Sequence, residues 1–499
     1  MCSYVRRLPI LLLLTFRISS WAQNDALAEQ SHHAKELMAA GRFEDAIPIY
    51  QQLVKAVPGN LGLILNLGLA EEFAGHPNLA IPRFEIVLKA QPDNIPALTS
   101  IAMARLQMQQ PGPAIAPLRK LTSLQPDNRD ACGMLAGALL DTNHPEEAAA
   151  EYRKLSASDK TDTKAWYGLG SAYEAAANTA FERLTKLALE SPYWAALVAE
   201  TRLQTGQYRS AFFFYKRAVD ALPDLRGIHS ELAQVYRKTG HEDWATSEEQ
   251  REANLAAKPC TTKTAECSFA SGKFLEAAQA NSTQPESLFW KIKALNSLAL
   301  EAFAQLSALP ESPELHALKA GILKGRKQYK EAAEEWQAAL KLSPKDGHLY
   351  HELLTSLFLA HGYDTLMPML KEALQNEPRS ADLNFMLGAS LLQTQQPEKA
   401  IPYLEAALKA DSGLLPAHAS LGFALSQVNR ANEAIPHLQR ALEIDDDGSL
   451  HYQLARVYQS AGNAARAKEL MAQYQSITAK TESAKEEVAK QAEIVAPAP

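Results

Sequence analysis

The sequence has no excess of basic residues and no long apolar run. Its 50 Lys and Arg residues stand against 57 Asp and Glu residues, a formal net charge of −7, whereas nucleic-acid-binding surfaces usually carry a basic excess. No apolar run approaches the roughly 20 residues that a bilayer-spanning helix needs, which excludes a polytopic membrane protein. Aromatic residues are scarce, at 7%, and Ala, the best helix former, is abundant. This composition predicts a soluble helical protein that does not bind nucleic acid.

Motifs for catalysis or cofactor binding are also missing. The chain has no phosphate-binding loop, no Gly-x-Gly-x-x-Gly, no Gly-x-Ser-x-Gly turn and no His-Glu-x-x-His pair. His32, His33 and the pair His348 and His351 invite a metal ion. No carboxylate or third His follows at a matching interval, which favours exposed or groove-lining side chains over ligands. We therefore expect no cofactor, no metal and no enzymatic activity, with a cryptic hydrolase as the remote alternative.

The first 22 residues have the pattern of a secretory signal. Arg6 and Arg7 precede the apolar run 8–16, and small residues occupy the −3 and −1 positions of a cut after Ala22. Arg17 closes the apolar run too early for a bilayer span, so a retained anchor is the lesser alternative. We expect an exported protein, periplasmic or secreted, with no integral membrane insertion after cleavage.

Cysteines are few, and an odd number remains after that cleavage. Cys132, Cys260 and Cys267 belong to the mature chain, in a compartment that permits oxidation. Cys260 and Cys267 enclose a short segment without periodic pattern, so a local disulfide is sterically easy and would contribute about 2 kcal/mol. Two unpaired thiols in a loop are the alternative, and a zinc site lacks further ligands nearby.

Small residues recur along the chain with a period of about 34 residues. The two series are Ala34, Gly68, Ala102 and Ala136, and Ala46, Ala80, Ala114 and Ala148. Each period contains two amphipathic stretches separated by a Gly or Asn turn, and often ends in Pro. Two helices approach closely only where the facing side chains are small, so the period predicts repeated helix pairs.

These landmarks resemble the tetratricopeptide repeat. Trp166, Leu169, Gly170 and Tyr173 reproduce places 4, 7, 8 and 11 of that repeat, and Ala211, Tyr215 and Pro223 reproduce places 20, 24 and 32. Units that begin near residues 27, 61, 95, 129, 192, 226, 313, 347, 381, 415 and 448 cover about three quarters of the chain. The resemblance implies an all-α superhelical solenoid of antiparallel helix pairs, with about 11 regular and two or three degenerate repeats.

The phase of the repeat breaks in two places. The unit 163–191 is irregular, and its segment 180–184 looks like the segment 302–306, which suggests an internal duplication. The predicted organisation is a signal peptide (1–22), an N-terminal array (23–257), a degenerate Cys-containing seam with an irregular helix pair (258–312), a C-terminal array (313–477) and a charged, helical or disordered tail (478–499). At residues 258–285 a hinge and a continuous superhelix with a local defect remain open.

In this family, places 2, 5, 9, 12 and 13 of the first helix line the concave face. Applied place by place, the mapping gives an apolar, partly aromatic set of partner-binding candidates: Leu65, Leu69, Phe73, Met103, Leu106, His351, Phe358, Phe385, Leu392, Phe423 and Tyr452. Rigid aromatic rings along a groove suit an extended or helical peptide. The alternative is that curvature of the superhelix buries several of them.

The resemblance implies a non-enzymatic scaffold or adaptor of the cell envelope that binds protein or peptide partners. Lys35 and Asn66 match part of a family site for chaperone carboxylates, but Pro96 and Ser100 replace its basic pair, so that activity is not expected. Phe212, Phe213 and Phe214 lie on one second helix. These side chains either pack against the irregular unit beside them or form a self-association patch. In the second case the chain would be a self-associating structural component of an envelope assembly or export complex.

Overall fold

The structure is a computed structural model that describes residues 10–256, 264–280 and 283–497. These residues form 26 α-helices and no strand, and the all-α repeat solenoid predicted from the sequence is confirmed. The first 16 helices are α1 (Ile10–Ala39), α2 (Phe43–Ala56), α3 (Leu61–Phe73), α4 (Pro77–Ala90), α5 (Ile95–Gln107), α6 (Pro111–Leu124), α7 (Arg129–Asp141), α8 (Pro145–Ser158), α9 (Thr163–Ala188), α10 (Pro192–Gln204), α11 (Tyr208–Ala221), α12 (Ile228–Lys238), α13 (Glu242–Ala256), α14 (Ala265–Ala270), α15 (Phe274–Ala278) and α16 (Pro285–Ser307).

The remaining helices follow the same alternation of two helices and two short connections. They are α17 (Pro313–Gly325), α18 (Tyr329–Leu342), α19 (Gly347–Leu359), α20 (Tyr363–Asn376), α21 (Ala381–Gln393), α22 (Pro397–Ala410), α23 (Leu415–Gln427), α24 (Ala431–Ala441), α25 (Ser449–Ser460) and α26 (Ala464–Gln491). Short connections make consecutive helices antiparallel neighbours. Most helices are therefore one half of a helical hairpin that repeats along the chain.

The chain divides into two compact units. Unit 1 is Met1–Thr179 with Ile292–Leu306, and unit 2 is Ala180–Lys291 with Ser307–Pro499. The divisions fall within α9 and α16, whereas the sequence analysis placed its seam between the two arrays at 258–312.

The ends of the repeated helices are set by local hydrogen bonds that recur with the period of the sequence. Asn60, Asn94 and Asn128, which share one place of the repeat, cap α3, α5 and α7 by accepting a backbone N–H three residues later at 3.0–3.2 Å. Between the two helices of a pair the backbone enters the left-handed region at Gly41, Gly75, Gln109, Asn143, Lys327, His361, Gln395 and Asn429. The turn therefore keeps its geometry even where the sequence shows neither Gly nor Asn.

Close helix approach depends on the small residues at place 8. A β-carbon added at Gly68 would lie 2.7 Å from the ring of Phe84. Added at Gly388 or Gly422, it would lie 2.6 Å from a Leu side chain on the following helix. Such distances are well inside van der Waals contact, so one methyl group would force the paired helices apart.

One repeat takes its second helix from a distant part of the chain. A β-carbon at Gly170 in α9 would overlap the ring of Phe303 in α16, and Tyr167 lies 6.4 Å from the same ring. Residues 292–306 belong to unit 1 together with the first half of α9. Phe303 therefore fills the role that Phe84 has opposite Gly68, and the period of the sequence cannot show it because the two helices are not consecutive.

In five repeats a side chain at place 4 ties the first helix to the loop before it. Each of these donates to the backbone carbonyl six residues earlier: Cys132 to Pro126 (3.7 Å), Trp166 to Lys160 (2.9 Å), His229 to Pro223 (2.9 Å), Asn384 to Pro378 (3.1 Å) and His418 to Ser412 (3.2 Å). The other ring nitrogen of His229 bonds the buried carboxylate of Glu248, which raises the pKa of that imidazole. The charged form, which donates from both nitrogens, is thereby favoured.

The seam contains a short helix pair, and the last helix is long. In α14, the Thr264 hydroxyl accepts the backbone N–H of Cys267 at 3.2 Å, while Cys260 lies outside the described residues, so the Cys260–Cys267 bridge stays a prediction. Cys132 is buried and free. The helix α26 runs to Gln491, through most of the predicted tail.

We expect Gly170→Ala to lower the free energy of unfolding by about 1–3 kcal/mol, because its methyl group would overlap Phe303. The matched control is Gly133→Ala in α7, where an added β-carbon meets nothing within 4 Å and the better helix propensity of Ala is worth up to about 1 kcal/mol. Urea unfolding of both variants measures the difference. Equal stabilities would contradict the pairing of α9 with residues 292–306.

Candidate partner-binding surface

In unit 1 the predicted surface residues differ in exposure. Phe73 is 53% and Met103 37% exposed, whereas Leu65, Leu69 and Leu106 are half-buried. The side chains of Leu65 and Leu69 pack against the core of their own repeat. Phe73 and Met103 are therefore the members of this set that offer contact area to a partner.

The surroundings of Phe73 include residues that the sequence analysis missed. Phe43, at the start of α2, packs its ring 5.2 Å from the ring of Phe73. Phe43 stands at a second-helix place, outside the first-helix mapping, which is why that mapping did not find it. The two rings together form the aromatic surface of this part of unit 1.

Two carboxyl groups are buried beside Phe73. Glu71 and Glu72 are 1% and 3% exposed, and burial raises the pKa of both. Arg83 lies 3.4 Å from Glu71 and opposes the rise in part. The Ser100 hydroxyl does the same for Glu72, yet neither Glu72 oxygen has a well-formed hydrogen bond among the described residues. In the sequence, the sign of a buried acid was Glu71 at place 11, where the repeat favours Tyr.

In unit 2 the aromatic candidates form a partly covered row. The rings of Phe358 and Phe385 meet edge to face at 6.0 Å, and both residues, like Phe423, are half-buried against the core. His351 is exposed. Leu392 is only 8% exposed and belongs to the core of unit 2. The sequence analysis was therefore wrong to assign it to the binding surface, because in α21 this side chain packs into the core.

In the last repeat the predicted surface residue Tyr452 borders a cleft. Tyr452 is 37% exposed, its ring lies 5.4 Å from that of Tyr474, and the Arg456 guanidinium lies 6.0 Å from its centroid. A cleft of about 330 Å³ is lined by Tyr452, Tyr474, Gln453, Thr478 and Glu482, among others. A second cleft of about 480 Å³ lies between α25 and α26.

The second cleft identifies binding candidates that the sequence analysis did not name. Its lining includes Arg456, Gln459 and Ser460, which are places 9, 12 and 13 of the repeat, together with Lys468 and Met471 from α26. The same place-by-place mapping would have found the first three, had it taken every polar side chain at these places and not only His351. The cleft combines an apolar floor with two basic side chains at one end of unit 2.

The remaining candidates have structural explanations. His348 and His351 are exposed. Asp346 caps α19 by accepting the backbone N–H of His348 at 3.0 Å, and Glu352, next to His351, pairs with Lys324 at 2.7 Å. Within the described ranges no cluster of three or more His, Cys, Asp or Glu residues is arranged to hold a metal ion. In the same part of the chain no helix has the length and apolarity to cross a membrane.

The three adjacent phenylalanines do not form an exposed patch. Phe212 is 1% exposed, and Phe214 packs edge to face on Trp194 at 5.8 Å and on Phe213 at 5.0 Å. Phe213 and Phe214 are half-buried. The prediction of self-association through these rings is therefore not supported, because their packing partners lie in unit 2 itself.

Sequence profiles of the tetratricopeptide repeat match residues 33–72, 105–173 and 287–442, together more than half of the chain. The chain is a tetratricopeptide-repeat protein. No curated protein matches its sequence.

Solved structures that resemble this tetratricopeptide-repeat protein do so at low identity. A tetratricopeptide repeat protein from Parabacteroides merdae is 12% identical over 67% of this chain and 99% of its own, with a TM-score of 0.32. YrrB, described as a TPR protein with an unusual peptide-binding site, is 22% identical over 32% of this chain and 84% of its own, with a TM-score of 0.28. TTC0263 from Thermus thermophilus is 19% identical over 36% of this chain and 98% of its own, with a TM-score of 0.29.

We expect Glu72→Gln to stabilise the protein by about 1 kcal/mol at neutral pH, because a buried carboxylate without hydrogen bonds is costly. The pKa of the Glu72 carboxyl is higher in the folded chain than in the unfolded one, so the free energy of unfolding of the native chain falls as the pH rises above the unfolded pKa of about 4.3. The amide of the variant has no charge at any of these pH values, so the variant does not lose this stability.

Urea unfolding at about pH 4 and pH 7 measures the effect, and the gain should be larger at the higher pH. Glu29→Gln, at an exposed position of α1, is the control and should change stability little at either pH. A Glu72→Gln variant that is less stable than the native chain at pH 7 would show that the carboxylate is satisfied.

Proposed function

We propose that this protein is a non-enzymatic scaffold that binds protein or peptide partners on the first-helix faces of its repeats. The observation that carries the proposal is the exposure of apolar rings at the mapped places, Phe73 in unit 1 and Tyr452 in unit 2, at 53% and 37%. Exposed aromatic side chains supply large contact area at small cost in conformational entropy. Repeats that present such side chains at a fixed spacing suit a segment in extended or helical form.

The character of the surface differs between the two units, and each therefore favours its own ligand chemistry. In unit 1, the paired rings of Phe43 and Phe73 and, on α5, the exposed side chain of Met103 offer apolar area, whereas the carboxyl groups next to Phe73 in sequence are buried rather than offered to a ligand. In unit 2, Tyr452 lines the smaller cleft, and Arg456 and Lys468 line the larger one. This end of unit 2 suits a segment that has both apolar and acidic side chains.

The proposal is tested by placing a photo-crosslinking amino acid at single positions of the full chain in its native host. Phe73 and Tyr452 should give covalent products with a discrete partner. The matched control positions, Leu79 and Leu342, are 48% and 52% exposed on the second helices α4 and α18, and should give none. The same products from all four positions, or from the controls alone, would exclude the first-helix faces as the binding surface.

The export prediction belongs to the same proposal. The described α1 side chains that reach the core all follow Ala22; they are Leu27, Ala34, Leu37 and Met38. Cleavage there would leave every one of these contacts in place. The function proposed is therefore that of a scaffold outside the cytoplasm, in the cell envelope.

We expect the mature chain to begin at Gln23 and to keep the stability of the uncleaved chain, because the core contacts that the structure describes for α1 lie after the cut. N-terminal sequencing of the protein from its native host gives the first residue, and a thermal melt compares the two forms. The control is a chain with Ala22→Pro, which should not be processed at this site. A native chain that still begins at Met1 would contradict export by this route.

A further inference from the structure

The C-terminal segment of the chain contacts a repeat far from it in sequence. The hydroxyl of Tyr236, in α12, donates to the backbone carbonyl of Val495 at 2.9 Å. Both residues belong to unit 2. After α26 ends, residues 493–497 have no regular secondary structure, and Ala492 is 3% exposed. The tail thus leaves the last helix and bonds through the Val495 carbonyl to the repeat that starts near residue 226, while the Val495 side chain is 43% exposed.

Tyr236 belongs to a cluster of packed aromatic side chains, here called the aromatic edge: Phe212, Tyr236, His241 and Trp244. The Tyr236 ring lies 5.8 Å from Phe212 and 5.6 Å from Trp244, and His241 stacks on Trp244 at 4.2 Å. Burial raises the pKa of Tyr236 to about 12. Its hydroxyl is therefore a neutral donor at any ordinary pH.

The bond that holds the tail selects a particular kind of peptide. It uses a backbone carbonyl, which every residue has, and it needs an extended backbone that leaves this carbonyl unpaired. A proline two residues after the acceptor favours both conditions, because it has no N–H to pair with that carbonyl and biases the residue between them away from the helical region. Aromatic-lined surfaces commonly bind such preformed, proline-containing segments. The tail, Ile494-Val495-Ala496-Pro497, has this composition.

We propose that the aromatic edge is a peptide-binding site whose resident ligand is the chain's own C-terminal segment, 492–497. Once the tail is displaced, the site takes an extended, apolar, proline-containing peptide of the same chemistry. The aromatic edge is made of places 11, 16 and 19 of one repeat together with Phe212 from the preceding one. It is therefore separate from the first-helix places 2, 5, 9, 12 and 13 that carry the proposed scaffold function.

Tethering decides how the site behaves. A ligand joined to its own receptor acts at an effective concentration of roughly millimolar order, so a weak intrinsic affinity suffices to keep the site occupied. A free peptide at lower concentration competes poorly with the tail. Access by a partner consequently depends on release of the tail, and the tail acts as a built-in competitor.

The test uses a fluorescein-labelled peptide with the sequence of residues 491–499 and measures its anisotropy. The chain truncated after Gln491 should bind this peptide at least ten-fold more tightly than the full chain does. In the truncated chain, Tyr236→Phe should weaken binding several-fold, because only the hydroxyl donor is lost. Tyr173→Phe, the same change at place 11 of another repeat, is the matched control and should leave binding unchanged.

A second measurement needs no truncation. Hydrogen exchange of the full chain reports on the tail amides, and Tyr236→Phe should speed their exchange while Tyr173→Phe should not. Circular dichroism and a thermal melt confirm that each variant is folded. Equal peptide binding by the full and truncated chains, no binding by the truncated chain, or equal effects of the two Tyr→Phe changes would overturn the proposal.

Discussion

The architecture depends on how closely two α-helices approach where they cross. At Gly68, Gly388 and Gly422 the facing Phe or Leu side chain occupies the space that a β-carbon would need. At place 20, residues such as Ala46, Ala80 and Ala400 are fully buried. With a small residue on one helix and a large one on the other, the pair packs at the density of a protein interior. Capping residues and left-handed turns then repeat this pair along the chain, and each repeat is stabilised mainly by its neighbours.

This constraint explains how much of the fold the sequence could predict. A small residue at place 8 shows that a large side chain must face it, and for most repeats that side chain lies on the following helix. At Gly170 the same requirement is met by Phe303, and no local pattern indicates which distant segment supplies the ring. The similarity of segments 180–184 and 302–306 was the only feature of the sequence analysis that linked these two parts of the chain. Leu184 and Leu306 are both 0% exposed, as expected of segments that act as buried second helices.

The binding surface was predicted less completely than the fold, because place in a repeat does not fix exposure. Phe73 and Leu392 both come from the concave-face mapping, yet one is 53% and the other 8% exposed. Exposure depends on how the next repeat packs, and that packing follows from side chains that the mapping does not consider. Glu72 shows the opposite case: an ionisable residue at a nominally concave place is buried. The mapping did not name Arg456 because it took mainly apolar and aromatic side chains.

The aromatic edge uses an interaction that the fold already employs. Backbone carbonyls in the loops between repeats have no helical partner, and an unpaired buried carbonyl is costly. Side chains at place 4, such as Trp166 and His229, donate to these carbonyls six residues earlier. Tyr236 makes the same kind of bond, but its acceptor is Val495, 259 residues away. Because a donor of this kind recognises a carbonyl and no particular side chain, the edge of a repeat can bind an extended backbone from any source, and the composition of that segment decides whether its carbonyl is available.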